Sequence, residues 1–190
     1  MPKSSASANA CDFLKLAKER KTIYEFSGRE VGKGELGKIL EAARWAPSAH
    51  NSQDWKFIVV EDASVIDALV KACHYGAFYT RPALAIAVVA EPVYAKKPGL
   101  LRGKASQLAP YHRYLNVAMP VANMVYEAAS LGIGTCILSP IVEEANGILG
   151  VPKGSETVLI VGFGYEKEGA YQKKRERKSL EETASYGKYR

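Results

Sequence analysis

The chain has 190 residues, a formal net charge of +6, 47% hydrophobic and 24% charged residues. That length suits one domain with a real core, and the composition excludes a disordered or fibrous chain. The longest apolar stretch, residues 83–90, is far short of the roughly 20 residues of a membrane helix, and residues 1–10 lack the apolar run of a secretory signal, so a cytoplasmic protein without membrane association is expected.

Residues 1–10 read as a flexible tail ahead of a single domain over 11–190. Residues 11–19 place Phe13, Leu14 and Ala17 on one helical face and end at the polar Arg20-Lys21-Thr22. Leu36, Ile39, Leu40 and Ala43 fall at i, i+3, i+4 and i+7, a helix that stops before Pro47. A polar loop from Ser48 to Asp54 leads into a strand over 55–60, and Val65, Ile66, Leu69, Val70 and Cys73 mark a third helix. Residues 83–90 suit a strand buried on both faces. Residues 92–111, with several prolines and lysines, read as an irregular excursion. A long apolar helix follows over 116–131 with Pro120 near its start, then a short strand over 135–138, a helix over 141–149 and a last core strand over 156–163. The polar remainder, 165–190, is expected over the surface or over a partner. Interleaved helices and strands without a repeat give an α/β or α+β class.

The basic pI of about 9.1 invites a nucleic-acid reading, but the positive charge is dispersed except for Lys173, Lys174, Arg175, Arg177 and Lys178. No nucleic-acid module is present, so nucleic acid is not an expected partner; a small phosphorylated ligand would use such a cluster equally well. Gly32 to Lys38 has P-loop spacing, yet Ile39 stands where a magnesium-binding hydroxyl belongs and the helical stripe already begins at Leu36, so the segment reads as a turn feeding a helix. Gly162-Phe163-Gly164 lacks the third glycine of a dinucleotide fingerprint and reads as a strand end. Ser48, His50 and Asp54 are close in sequence but lack the turn that exposes a nucleophile. Cys11, Cys73 and Cys136 fit core positions better than a disulfide framework, and no metal-ligand spacing occurs.

Three separated segments remain: Arg20-Lys21-Thr22, the loop Ala46 to Trp55, and Arg175 to Glu182. Cations from the two chain ends would meet on one phosphate while the loop supplies hydrogen bonds to a planar polar ring.

In order and spacing, these segments resemble the flavin-dependent nitroreductase family. Its members open with Arg-Arg-Ser, continue with Ala-Pro-Ser-x-x-Asn-x-Gln-Pro-Trp, end a long helix in Gly-Leu-Gly-Thr and close with Arg-Lys-x-Leu-Glu-Glu. Here the counterparts are Arg20-Lys21-Thr22, Ala46 to Trp55, Leu131 to Thr135 and Arg177 to Glu182, so the match covers roughly 12–183. The resemblance implies an α+β three-layer sandwich, a mainly antiparallel sheet flanked by helices. It also implies an intertwined homodimer with FMN at the interface, and residues 166–190 wrapping the partner chain. By position, Arg20, Lys21 and Thr22 would hold the FMN phosphate with Arg177 and Arg175. Pro47, Ser48, Ala49 and Asn51 would come from the partner chain to line the isoalloxazine ring, and the backbone of Leu138 and Ser139 would face its N5 edge.

The activity so implied is ping-pong electron transfer from NADH or NADPH to a nitro compound, quinone or related small acceptor, with the chemistry carried by FMN and no catalytic side chain. The same fold also serves reductive dehalogenation and flavin fragmentation, and a non-catalytic flavin-binding module is the remaining alternative. The chain departs from the pattern at Tyr24, where many members have a cation, and at Asp54, which replaces a proline and would put an acid near the pocket mouth. It departs again at Pro140, which cannot donate a backbone N–H. Its shortness implies that any substrate-covering insertion is reduced to residues 92–113.

Overall fold

Alternation along one buried strand organises the molecule. In the computed structural model, which describes residues 12–74, 80–92 and 109–189, β2 (Leu84–Ala90) is buried at every position. It pairs antiparallel with β1 (Trp55–Val60) on one side and β4 (Glu156–Gly164) on the other, and β4 pairs antiparallel with β3 (Gly134–Leu138). The sheet order is β1-β2-β4-β3. Because successive side chains face opposite ways, Leu84, Ile86, Val88 and Ala90 pack with Ile39 and Ala43 of α2 (Lys33–Arg44) and with Val117, Val121 and Met124 of α4 (Ala109–Ser130). Ala85 and Ala87 face the other layer, Ile66 and Leu69 of α3 (Ala63–Lys71) and Ala145 of α5 (Val142–Leu149). The result is the expected α+β three-layer sandwich. Each large aliphatic side chain buried here contributes roughly 1.5–3 kcal/mol.

The remaining elements are α1 (Phe13–Glu19), capped by Asp12, and the short α6 (Leu180–Thr183), capped by Ser179. The tail over 1–10, Cys11 and most of the expected excursion over 92–113 lie outside the described residues. The P-loop-like segment is a helix start, as expected: Gly32 precedes α2, and its N–H donates to the Glu35 carboxylate at 2.8 Å. One expectation needs correcting. The long helix begins at Ala109 rather than near 116, so Pro120 sits in its interior. A proline there removes the bond that would close on the Asn116 carbonyl, a loss that burial of Val117, Val121 and Met124 offsets.

The two glycines after α4 have separate physical reasons. Gly132 has φ +73°, a conformation that costs other residues. At Gly134 a Cβ would lie 2.4 Å from the Ile23 side chain, so only glycine admits the approach of the segment after α1. That segment lies parallel to β3, with a Thr22–Thr135 bridge and a 2.9 Å bond from Ile23 N–H to the Thr135 carbonyl.

Candidate functional site

Extended residues 22–27 are stitched between β3 and the chain that leaves β4. Ser27 N–H donates to the Tyr165 carbonyl (2.8 Å) and Lys167 N–H to the Glu25 carbonyl (3.1 Å), while Phe26 bridges Glu166. The seam carries the C-terminal segment back over the end of α1, where Arg175 Nη1 donates to the Arg20 carbonyl. Arg20, Lys21 and Thr22 thereby face Arg175 and Arg177 across a pocket of about 270 Å³, also lined by Tyr24, Lys173 and Lys174. The chain ends predicted to share one phosphate do meet.

The cations of this pocket are not equivalent. The Lys21 ammonium is committed to Glu166 at 2.8 Å, and Lys174 to Glu176 at 2.7 Å. Arg177 spends one nitrogen on the Glu176 carbonyl (2.8 Å). Among the described residues the Arg20 guanidinium has no protein partner. The Lys173 ammonium is likewise without one, and of the two Arg20 is the less exposed, so these are the cations most available to an anion, with Arg177 next.

A larger cleft of about 620 Å³ opens beside the basic pocket and shares Arg20, Thr22 and Tyr24 with it. Its other walls are the α4 face at Ala118, Ala122, Val125 and Tyr126 and the β3 residues Cys136, Ile137 and Leu138. Leu138 is buried at the strand end; Ser139 follows, exposed, with its carbonyl accepting from His74 N–H at 3.0 Å. Cys73 bridges Pro140, and the neighbouring Ile141 N–H donates to the Ala72 carbonyl, so the missing donor of Pro140 costs this contact nothing. Burial pushes the thiols of Cys73 and Cys136 up to about 11, which leaves them protonated and poor nucleophiles.

Pro47, Ser48, Ala49 and Asn51 line neither cavity. They form a turn after α2, a 3₁₀ turn over Ala49–Asn51, in which Ser48 Oγ accepts from Gln53 N–H (3.0 Å) and the Ser48 carbonyl from Asn51 N–H (3.0 Å). His50, Asn51 and Gln53 all adopt positive φ, 54°, 51° and 48°, a cluster of backbone strain without a glycine. Ser48, His50 and Asp54 do not assemble as a triad: His50 is exposed, and Asp54 bonds Ser52 and Asn116 instead. Nor is Asp54 at a pocket mouth, as expected from its sequence position. It is fully buried and lines neither cleft, because its carboxyl turns inward to the α4 amide. Sequence reasoning also missed Asn116 and Glu166; the one signal for Asn116 is an amide in an apolar helix, which it shares with Asn123.

Among the described residues, no helix is long and apolar enough to cross a membrane. The chain is 30% identical over 161 residues to a provisionally named NADH dehydrogenase/NAD(P)H nitroreductase of Archaeoglobus fulgidus, covering 82% of this chain and 86% of that one. It is 26% identical over 161 residues to the iodotyrosine deiodinase of Thermotoga neapolitana, covering 79% and 86%. The structure superposes on an FMN-dependent nitroreductase of Clostridium difficile R20291 with a TM-score of 0.73 at 21% identity, over 93% of this chain and 99% of that one. The family model described as the nitroreductase family matches residues 17–165, which takes in the basic segment after α1, the strained turn and all four strands, and on that match the chain belongs to the nitroreductase family.

Proposed function

We propose that the protein is a homodimeric FMN oxidoreductase that takes electrons from NADH or NADPH and delivers them to a nitro compound, quinone or similar small acceptor. The observation that carries this reading is the basic pocket built from both chain ends and opening onto an apolar cleft. A dianionic phosphate matches the donor set of Arg20 and Arg177, with Arg175, Thr22 and Lys21 beside them. A cleft of about 620 Å³ with mainly aliphatic and aromatic walls is in the range of small-molecule sites, about 300–1,000 Å³.

Arg20 and Arg177 neutralise the phosphate and orient the bound group. Leu138 and the α4 face would exclude water from a ring held in the cleft, and the backbone of Leu138 and Ser139 would hold its edge. Pro47, Ser48, Ala49 and Asn51 of the second subunit close the other side. When bound, FMN supplies the hydride chemistry, so no side chain of this chain need act as acid, base or nucleophile. Support for the dimer comes from the α4 surface, where Tyr111, Leu115 and Met119 are 65%, 61% and 47% exposed at four-residue spacing and continue towards the cleft. Leu180 of the C-terminal segment is 78% exposed, with no apolar face among the described residues covering it. An interface covering both would bury upwards of about 2,000 Å².

Steady-state kinetics with varied NADPH and a nitroaromatic acceptor test the mechanism. Parallel double-reciprocal lines are expected; intersecting lines would exclude alternating use of one site. The deiodinase relative favours a second reading, reductive removal of halide from an aromatic ring. Halide release from a halotyrosine under reducing conditions, at a rate above that of nitro reduction, would select it.

A further inference from the structure

The strained turn and the buried acid beside it form a tether. Asp54 sits at the foot of β1, its carbonyl accepting from Glu91 N–H at 3.0 Å, directly before the Trp55–Ala90 pair. Its Oδ1 accepts from Asn116 Nδ2 at 2.8 Å and from Ser52 Oγ at 2.9 Å. With its Nδ2 so directed, Asn116 turns Oδ1 to the Ala49 N–H at 3.0 Å. We propose that Asp54, acting through Asn116, is the positioning residue that holds the ring-side turn over 48–53 in its flavin-binding conformation. The proposal rests on the FMN reading above and adds to it a device that this chain builds where the family pattern has proline.

An amide can turn either end towards a partner; Asn116 Nδ2 donates to Asp54 Oδ1 at 2.8 Å and to Ser52 Oγ at 3.0 Å, and because the Ser52 hydroxyl itself donates to Asp54 Oδ1, the carboxyl is the acceptor on which both contacts end and which leaves the Asn116 oxygen facing Ala49. Proline at position 54 would offer no acceptor. Three left-handed residues without glycine need such an outside constraint, since each is disfavoured by its own Cβ. Asp54 is 0% exposed, and its Oδ2 has no partner among the described residues. A buried carboxyl with one idle oxygen is costly, and an apolar residue would fill the same space without that cost. What the acid provides is the bond to Asn116.

The test uses the full-length flavin-free protein and the variants Asp54→Ala, Asn116→Ala and Asp54→Asn, with Arg20→Ala as a phosphate-side control. FMN and riboflavin affinities and the hydrogen-exchange rate of the Ala49 amide are measured in each. Asp54→Ala and Asn116→Ala are expected to weaken both flavins by one common factor of about ten or more and to speed Ala49 exchange by a similar factor. Asp54→Asn keeps an acceptor at Oδ1 and is expected to stay within about three-fold of the wild type in both measurements. Arg20→Ala is expected to affect FMN alone. Should Asp54→Ala fail to fold, Asn116→Ala carries the same expectation. Wild-type affinity and exchange in the alanine variants would overturn the tether. Equal losses in Asp54→Asn and Asp54→Ala, accompanied by lowered thermal stability, would reduce Asp54 to core packing and overturn it too. A wild-type protein that binds neither flavin would instead overturn the FMN reading and the ligand half of the proposal, with Ala49 exchange still judging the tether alone.

Discussion

Replacing Arg20 with alanine removes a guanidinium that has no protein partner among the described residues while keeping the backbone carbonyl to which Arg175 is bonded. If the pocket holds the phosphate as proposed, the change subtracts one contact to it with little collateral rearrangement. A hydrogen bond to a charged group contributes about 1.5–3 kcal/mol, which is roughly ten- to a hundred-fold in affinity. Arg20 is half-buried and belongs near the upper end of that range; Arg177 is exposed and belongs near the lower end. Lys21 is already committed to Glu166, so Lys21→Ala is expected to cost less than about five-fold. The assay is titration of FMN and of riboflavin, which lacks the phosphate, into each flavin-free variant. The expected order of loss for FMN is Arg20, Arg177, Lys21, with riboflavin unchanged throughout. Equal losses for the two flavins, or none for either in Arg20→Ala, would refute the assignment of the pocket to a phosphate.

Three further outcomes follow from individual contacts. Gly134→Ala forces a Cβ to within 2.4 Å of Ile23, and overpacking of this kind is expected to lower stability by about 1–3 kcal/mol; wild-type denaturant stability would show that the 22–24 segment is free to shift. Cys73 and Cys136, raised to about 11, are expected to escape alkylation at pH 8 in peptide-mapped labelling of the folded protein, and rapid modification of either would contradict their burial. Glu41 is held down to about 2 by its bonds to Arg44 and then Trp45. Its folded value lies below the unfolded 4.5, so its contribution to stability is present above about pH 4.5 and is lost as pH falls towards 2. Arg44→Ala is expected to raise its midpoint in a carboxyl-carbon titration, and an unmoved midpoint would rule out the pair.

The pattern reveals α2 because it buries one face, with Ile39 and Ala43 one turn apart, and reveals β1, β2 and β4 as apolar, β-branched runs packed on both sides of the sheet. The start of α4 is less legible: Tyr111, Leu115 and Met119 follow at four-residue spacing but lie exposed, and the polar His112 and Arg113 beside Pro110 blur the pattern. The meeting of the two chain ends is legible from the clustered cations as a possibility and from the family pattern residue by residue, while the seam that creates it, backbone pairing between residues 22–27 and 165–167, is not. That Lys21 shares its charge with Glu166 is an ion pair spanning 145 positions that no local signal announces. The family pattern puts Asp54 near the pocket mouth, and a carboxylate in a polar loop is ordinarily exposed; the tertiary approach of Asn116, with Ser52 beside it, is what makes its burial tolerable.

The central claim is that FMN binds in the basic pocket and apolar cleft of a dimer. Sedimentation velocity of the FMN-loaded protein at micromolar concentration, recorded both at the protein absorbance and in the visible flavin band, tests it most directly. The account predicts one boundary at about twice the 20.7 kDa chain mass, seen in both channels with one flavin per chain. Flavin co-sedimenting with a 20.7 kDa monomer, or left at the meniscus while the dimer moves, would contradict it.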